Sequence, residues 1–244
     1  MPALLNIESE LRKVCNHPYL VKGAREREEG WSEEEETEPE ETRVRRIRER
    51  TREMVRASGK MILLWKLLPK LQKDGHRVLL FSQMTKMLDL IEEWASGPVS
   101  KGGMGWGVER IDGSVRGNAR QAAIDRFQGV YKGQRAPLPG QEPFLFLLST
   151  RAGGVGLTLT KADTVIIFDS DWNPQNDVQA MARAHRIGQK REVSIYRLLT
   201  ARTYEASMFQ RASRKLGLEQ AVMGGGGWGG SEGGQGGAPV NFRP

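Results

Sequence analysis

Between residues 58 and 222 short apolar runs alternate with stretches in which apolar residues recur every three or four positions. Arg77–Phe81, Phe144–Leu148 and Thr164–Phe168 read as buried strands, and Glu109–Ile111 and Val193–Leu199 as further strands. Gly59–Lys73 reads as a helix with Met61, Leu64, Trp65, Leu68 and Leu71 on one face. Thr85–Ala95 reads as a second helix, turning Met87, Leu88, Ile91 and Trp94 inward. Arg116–Phe127, Pro174–Ile187 and Tyr204–Leu216 complete the helical set. Strands of this apolar kind alternating with amphipathic helices specify an α/β fold, a parallel sheet with helices on both faces. Two Gly/Pro-rich loops, Gly97–Gly107 and Gly129–Pro143, are expected to interrupt the pattern at the surface.

The flanks read differently. Residues 1–21 carry a short helix, Ala3–Asn16, that ends before Pro18. Residues 22–57 are poor in apolar groups. Within them Glu26–Glu41 holds ten of the 30 acids and one of the 37 bases, and is expected to be disordered. A basic arm follows, Arg43–Arg56, with seven arginines in 14 residues. Its Val44, Ile47 and Met54 are spaced as on a surface helix, and the arm also has the composition of a nuclear-import signal. Residues 58–222 form the folded body. Residues 223–244 form a Gly-rich flexible tail, in which ten of the 14 residues from Gly224 to Gly237 are glycine.

Composition narrows the function classes. No apolar run approaches the roughly 18 residues needed to cross a bilayer, and Met1–Lys13 lacks the pattern of a signal peptide. Cys15 is the single cysteine, so no disulfide framework exists and a reducing compartment is expected. The three histidines are well separated, with no zinc spacing. The net charge is +7, but outside Glu26–Glu41 the chain carries 36 bases against 20 acids. A basic body of this kind suits a polyanionic partner, although a solvated surface would have the same composition.

Three segments concentrate candidate chemistry. After the strand Phe144–Leu148 comes Ser149-Thr150-Arg151-Ala152-Gly153-Gly154-Val155-Gly156. Glycines at the carboxyl end of a parallel strand let backbone amides approach phosphates, or serve a tight turn. The dinucleotide pattern GxGxxG fails here, because Leu157, Thr158 and Leu159 follow Gly156. The strand Thr164–Phe168 runs into Asp169-Ser170-Asp171-Trp172-Asn173-Pro174. Asn173 and Pro174 start a helix, Trp172 is either a staple or a stacking platform, and Asp169 and Asp171 are a weak candidate carboxylate pair. The helix then places Gln175, Gln179, Arg183 and Arg186 on one face, opposite Ala180, Ala184 and Ile187. Two arginines directed into a cleft suit a phosphoryl group, and a pair of surface arginines is the competing reading.

Taken together, Val78–Gln83, Arg110–Ser114, Ser149–Gly156, Asp169–Pro174 and Gln179–Gln189 resemble the helicase motifs of superfamily 2, in the order of its chromatin-remodelling branch. Arg183-Ala184-His185-Arg186-Ile187-Gly188-Gln189 resembles that branch's last motif, and Leu11–Leu20 its inter-lobe segment. Glu109–Phe127 and Ser194–Val222 are most similar to the chromodomain-helicase-DNA-binding family, its third subfamily above all. The resemblance covers residues 1–23 and about 54–223. The acidic insert, the two Gly-rich loops and the Gly tail depart from the family pattern.

The resemblance implies a RecA-like second helicase lobe, the carboxyl-terminal half of an ATP-driven DNA translocase that remodels nucleosomes in the nucleus. It implies Arg186 as arginine finger, Arg183 as a second phosphate contact and Gln179 as a positioning residue, with Gly154 and Gly156 beside the nucleotide. On the DNA side it implies Ser82, Gln83, Gly113, Ser114, Thr150, Arg151 and Trp172. The implied cofactor is ATP with Mg2+, held mainly by a first RecA-like lobe. The implied partners are that lobe, double-stranded DNA and nucleosomes. This sequence contains neither a GxxxxGK[ST] loop nor a DEAH-like box, so the chain alone is expected to be inactive. The alternatives are a non-catalytic DNA- or partner-binding module and, against the missing third glycine, a Rossmann enzyme.

Overall fold

The computed structural model describes residues 4–25, 39–131, 135–137, 142–153 and 157–224. Most of the acidic insert, Gly154 and Gly156, and the tail beyond Gly224 lie outside the described residues.

The elements follow in chain order as α1 (Leu4–Asn16), α2 (Glu40–Arg56), α3 (Gly59–Lys73), β1 (Val78–Ser82), α4 (Thr85–Ser96), β2 (Gly107–Ile111) and α5 (Gly117–Gln128). Then come β3 (Pro143–Ser149), the one-turn α6 (Thr150–Gly153), β4 (Thr164–Ile167), α7 (Pro174–Met181), β5 (Ser194–Arg197) and α8 (Tyr204–Gly224). The five strands form one sheet in the order β2-β3-β1-β4-β5, and every pairing is parallel. This is the doubly covered α/β sheet expected from the apolar runs. Successive side chains of each strand serve opposite faces. Val78, Leu80, Leu145, Leu147 and Ile166 pack with α3 and α4 on one side. Leu79, Phe81, Phe146, Leu148, Val165 and Ile167 pack with Ala123 and Phe127 of α5 and with Ala180 and Ala184 on the other.

Register aligns the carboxyl ends of the strands. Ser82 lies beside Ser149, Ile111 beside Leu148, and Ile167 beside both Phe81 and Arg197. One edge of the sheet therefore gathers the segments that follow β1, β2, β3, β4 and β5, where parallel sheets place ligands.

Four expectations need correction. Trp65 is 53% exposed. Its neighbours Met61, Leu64, Lys60 and Leu68 form the buried seam of α3, and Trp65 sits about 100° round the helix from Leu64. The loop after α4 is not mere surface. Its chain folds back so that Met104 N donates to Trp94 O and Trp106 N to Ala95 O, and Trp106 is buried edge-on between Trp94 and Phe144. A Cβ at Gly103 would lie 2.2 Å from the carbonyl oxygen of Gly97, so only glycine permits this crossing. The acidic segment ends sooner than its composition suggests. Glu40 and Glu41 already form the first turn of α2, where carboxylates favour the helix dipole.

The fourth correction concerns the helix expected over Pro174–Ile187, which stops at Met181. Beyond it Arg183 N and Ala184 N make three-residue turns, while Arg183 O accepts from Leu159 N and Ala184 O from the Gln189 side chain. The carbonyls a longer helix would need are thus taken. Ala184 remains buried, but Ile187 is fully exposed.

Candidate functional site

The edge is organised around buried charges that the apolar pattern did not reveal. Asp169, directly after β4, is wholly buried. Its carboxylate accepts from Ser82 Oγ at 2.5 Å, from Gln83 N at 3.2 Å and from the Arg12 guanidinium at 3.2 Å. The same Arg12 nitrogen donates to Ser170 O at 3.0 Å. Burial pushes the Asp169 carboxyl up, against the pull of Ser82, Lys60 and Arg12. One carboxylate therefore ties α1 to the β1 and β4 loops.

Lys60 stands beside it. Its ammonium donates to Asn16 Oδ1 at 2.9 Å, to Phe168 O at 2.8 Å and to Glu205, and lies over the Phe168 ring. Burial lowers its pKa, and Glu205 opposes the shift. Glu205 also accepts from Thr200 N, and Thr200 Oγ1 donates to Cys15 O. Two further charges fix the turn before α7. Arg197 pairs with buried Asp177, which accepts from Asp171 N at 3.1 Å. Asp171 in turn accepts from Asn173 N, and the Asn173 side chain caps α7 by accepting from Gln175 N. Asp169 and Asp171 are thus engaged separately within the protein. No group of acids, histidines or cysteines among the described residues is placed to hold a metal ion.

The DNA-side candidates fall on this framework unevenly. Ser82 is buried and committed to Asp169. Gln83 presents its backbone to the same carboxylate, and its Nε2 is shut off from solvent with no hydrogen-bond partner. Gly113 and Ser114 are exposed, in a turn held by Asp112, which accepts from Ser114 N at 2.8 Å and from its hydroxyl at 2.5 Å. Asp112 itself is gripped by Arg110, which also reaches Asp89 and Glu92. Burial would raise the Asp112 carboxyl, but the bonds from Ser114 and Arg110 outweigh it and hold it down. Thr150 is buried at the start of α6, while Arg151 is exposed. Trp172 is 43% exposed, its ring 5.9 Å from Tyr204 and beneath the Arg12 guanidinium at 5.6 Å. It does not staple α7, because the helix position it would meet is Asp177.

The arginine pair sits apart. Gln179 is exposed on α7. Arg183 is 6% exposed, and its pKa is lowered by burial first and by Arg186 second. Arg186 is exposed, makes no ion pair among the described residues, and donates to Thr158 Oγ1 at 2.9 Å. Arg183 and Arg186 both follow the end of α7. They owe their placement to the tight turn after Met181, not to a shared helical face.

Sequence reasoning missed Arg12, Lys60 and Glu205. Their partners lie 145 to 157 residues away. One signal was present, because Lys60 precedes Leu64 and Leu68 at four-residue spacing and so stands on the buried face of α3.

This parallel sheet and the arginine turn beyond its fourth strand define a RecA-like helicase lobe. The chain belongs to the helicase conserved C-terminal domain family, which matches residues 59–188. Chromodomain-helicase-DNA-binding protein 7 of Homo sapiens is 51% identical over 224 residues, 91% of this chain and 7% of that protein. Chromodomain-helicase-DNA-binding protein 8 of Xenopus tropicalis is 52% identical over 231 residues, covering 91% of this chain and 9% of that protein. The chain thus spans less than a tenth of the length of these relatives. Among solved structures, the C-terminal part of the Fun30 ATPase domain superposes with a TM-score of 0.61 at 29% identity, over 85% of this chain and 71% of that one.

Proposed function

We propose that the chain is the arginine-donating lobe of an ATP-driven DNA translocase that remodels nucleosomes in the nucleus. The observation that carries this reading is the tight turn after α7, which leaves Arg186 exposed with no ion pair among the described residues and its guanidinium on Thr158 Oγ1. An exposed guanidinium fork without an ion pair among the described residues suits an anion, and a polyphosphate fits that demand. Arg186 is the finger for charge developing at the phosphoryl group, Arg183 a second phosphate contact, and Gln179 a positioning residue. Gly154 and Gly156 belong to the same nucleotide side. When bound, ATP with Mg2+ supplies the phosphoryl chemistry, and a first lobe holds most of it.

On the DNA side, the Asp112-held turn offers Gly113 and Ser114, and α6 offers Thr150 and Arg151. Gln83 would meet a phosphate only by turning its enclosed side chain outward, and Trp172 lies against the duplex. Ser82 acts through Asp169, by fixing the Gln83 backbone. Contacts of this kind position the protein without reading bases.

The test uses a two-lobe protein that includes this lobe. Arg186→Ala is expected to cut DNA-stimulated ATP hydrolysis by about 10³-fold or more while keeping ATP binding. Arg186→Lys is expected not to rescue, since a point charge lacks the fork. A loss of less than roughly tenfold overturns the assignment. Turnover by the 244-residue chain alone would overturn the half-enzyme reading.

A further inference from the structure

The basic arm is not absorbed by the strand-edge site. It forms α2, a helix whose seat is fixed from three directions. Met54 and Val55 are buried against the core. Met54 O lies 2.8 Å from His17 Nε2. Arg48 donates through two nitrogens to Ser100 O, at 3.1 and 2.9 Å. The fit is close enough that a Cβ at Gly102, whose φ is +84°, would lie 3.3 Å from Arg48 O and from the Thr51 side chain.

With its inner seam fixed, α2 turns a defined flank outward. Arg45, Arg52 and Arg56 stand on one stripe about 16 Å long, with Arg48, whose guanidinium is held on Ser100 O, at its border. All four are exposed. Arg45, Arg52 and Arg56 form no ion pair among the described residues, in contrast to Arg43, which pairs with Glu40. Glu41, Glu49 and Glu53 are exposed beside the stripe, and none of them pairs with Arg45, Arg52 or Arg56 among the described residues.

We infer that this flank of α2 is a second nucleic-acid surface, one that grips the phosphates of a duplex outside the strand edge. The chemistry selects this partner. The stripe carries no apolar side chain, whereas protein interfaces are anchored by buried aromatic and aliphatic groups. It carries no aromatic ring for an unpaired base to stack on. A row of guanidinium forks on a rigid rod matches a regular row of phosphates, which advance about 3.4 Å per nucleotide along one strand. The inference rests on the reading of the chain as a DNA-binding lobe and adds to it a contact that none of the edge residues makes.

The test is duplex binding by the full chain as a function of salt, compared across three proteins. These are the unaltered chain, the triple variant Arg45→Gln, Arg52→Gln, Arg56→Gln, and the edge variant Arg151→Gln. The three α2 arginines are exposed and make no contact that holds the fold, so the triple variant should melt with the unaltered protein. Losing three phosphate contacts should reduce the slope of log K against log salt by about 2.7. The edge variant should lose about one contact, a slope change near 0.9. A triple variant with unchanged slope and affinity overturns the inference and leaves the edge reading standing. An edge variant with no effect beside a weakened triple variant overturns Arg151 as a DNA contact and keeps the α2 surface. No duplex binding by the unaltered chain at low salt overturns both. Polyglutamate bound more tightly than duplex, and released by the triple variant, would reassign the surface to an acidic protein.

Discussion

The charges of the Asp169 knot gather with α3 at the carboxyl ends of β1 and β4, those of the Arg183–Arg186 turn lie against the segment ahead of β4 on the other face, and the two are built in different ways. Around Asp169 every charge has its complement. Arg12, Ser82 and Gln83 serve the carboxylate, and Lys60 is shared by Glu205, Asn16 and Phe168 O. In the turn, Arg186 is exposed, forms no ion pair among the described residues and donates to a hydroxyl. A completed charge network rigidifies and specifies a structure. An exposed guanidinium with no ion pair among the described residues keeps its fork available to an anion. The first arrangement belongs to scaffolding, and the second suits the anion-binding role proposed for Arg186.

The sharpest way to break this contrast is to compare stability losses. Lys60→Ala leaves Glu205 buried without its cation and should cost about 3–5 kcal/mol. Arg186→Ala removes an exposed side chain and should change stability by no more than about 0.5 kcal/mol. Urea unfolding of both variants decides, and similar losses would erase the distinction. Trp172 stands between the two classes. It touches Tyr204 and Arg12 yet remains partly exposed, so Trp172→Ala should cost about 1–2 kcal/mol, less than a buried tryptophan. Thermal melting measures this, and a loss near 4 kcal/mol would make the ring core and remove it from the DNA side.

The smallest effect is expected at the opposite edge. Burial pushes Asp163 up, but Arg191, His76 and the Arg77 amide outweigh it and hold it below its ordinary 3.8. The folded protein therefore binds this proton less readily than the unfolded chain. Its stabilisation is present above pH 3.8 and is lost as pH falls through the lower folded value. Unfolding free energies measured between pH 5 and 2.5 should fall less steeply in Asp163→Asn. An unchanged acid limb would show that other carboxylates set it.

Much of the fold was legible because apolar strands of five residues leave few alternatives. The α7 start was legible too, since Asn173 and Pro174 act locally. The α7 end was not. Ala180 and Ala184 continue a helical spacing into a segment whose carbonyls are claimed by Leu159 and Gln189, and no local pattern records those competitors. The candidate arginines were legible as a pair, though for the wrong geometric reason. The knot was illegible because its partners meet only after the chain has folded.

That last property bears on how the protein is made. Arg12 must find a carboxylate 157 residues later, and Cys15 O a hydroxyl 185 residues later. At ribosomal speeds of about 5–20 residues per second, roughly 8–30 s separate the synthesis of Arg12 from that of Asp169. Strand β1 waits as well, since both its neighbours, β3 and β4, come later. During that interval β1 carries Leu79, Leu80 and Phe81, all buried in the finished sheet, without the neighbours that cover them. Nascent chains arrested before residue 169 should therefore recruit holding chaperones, and those arrested well past Met208 should release them.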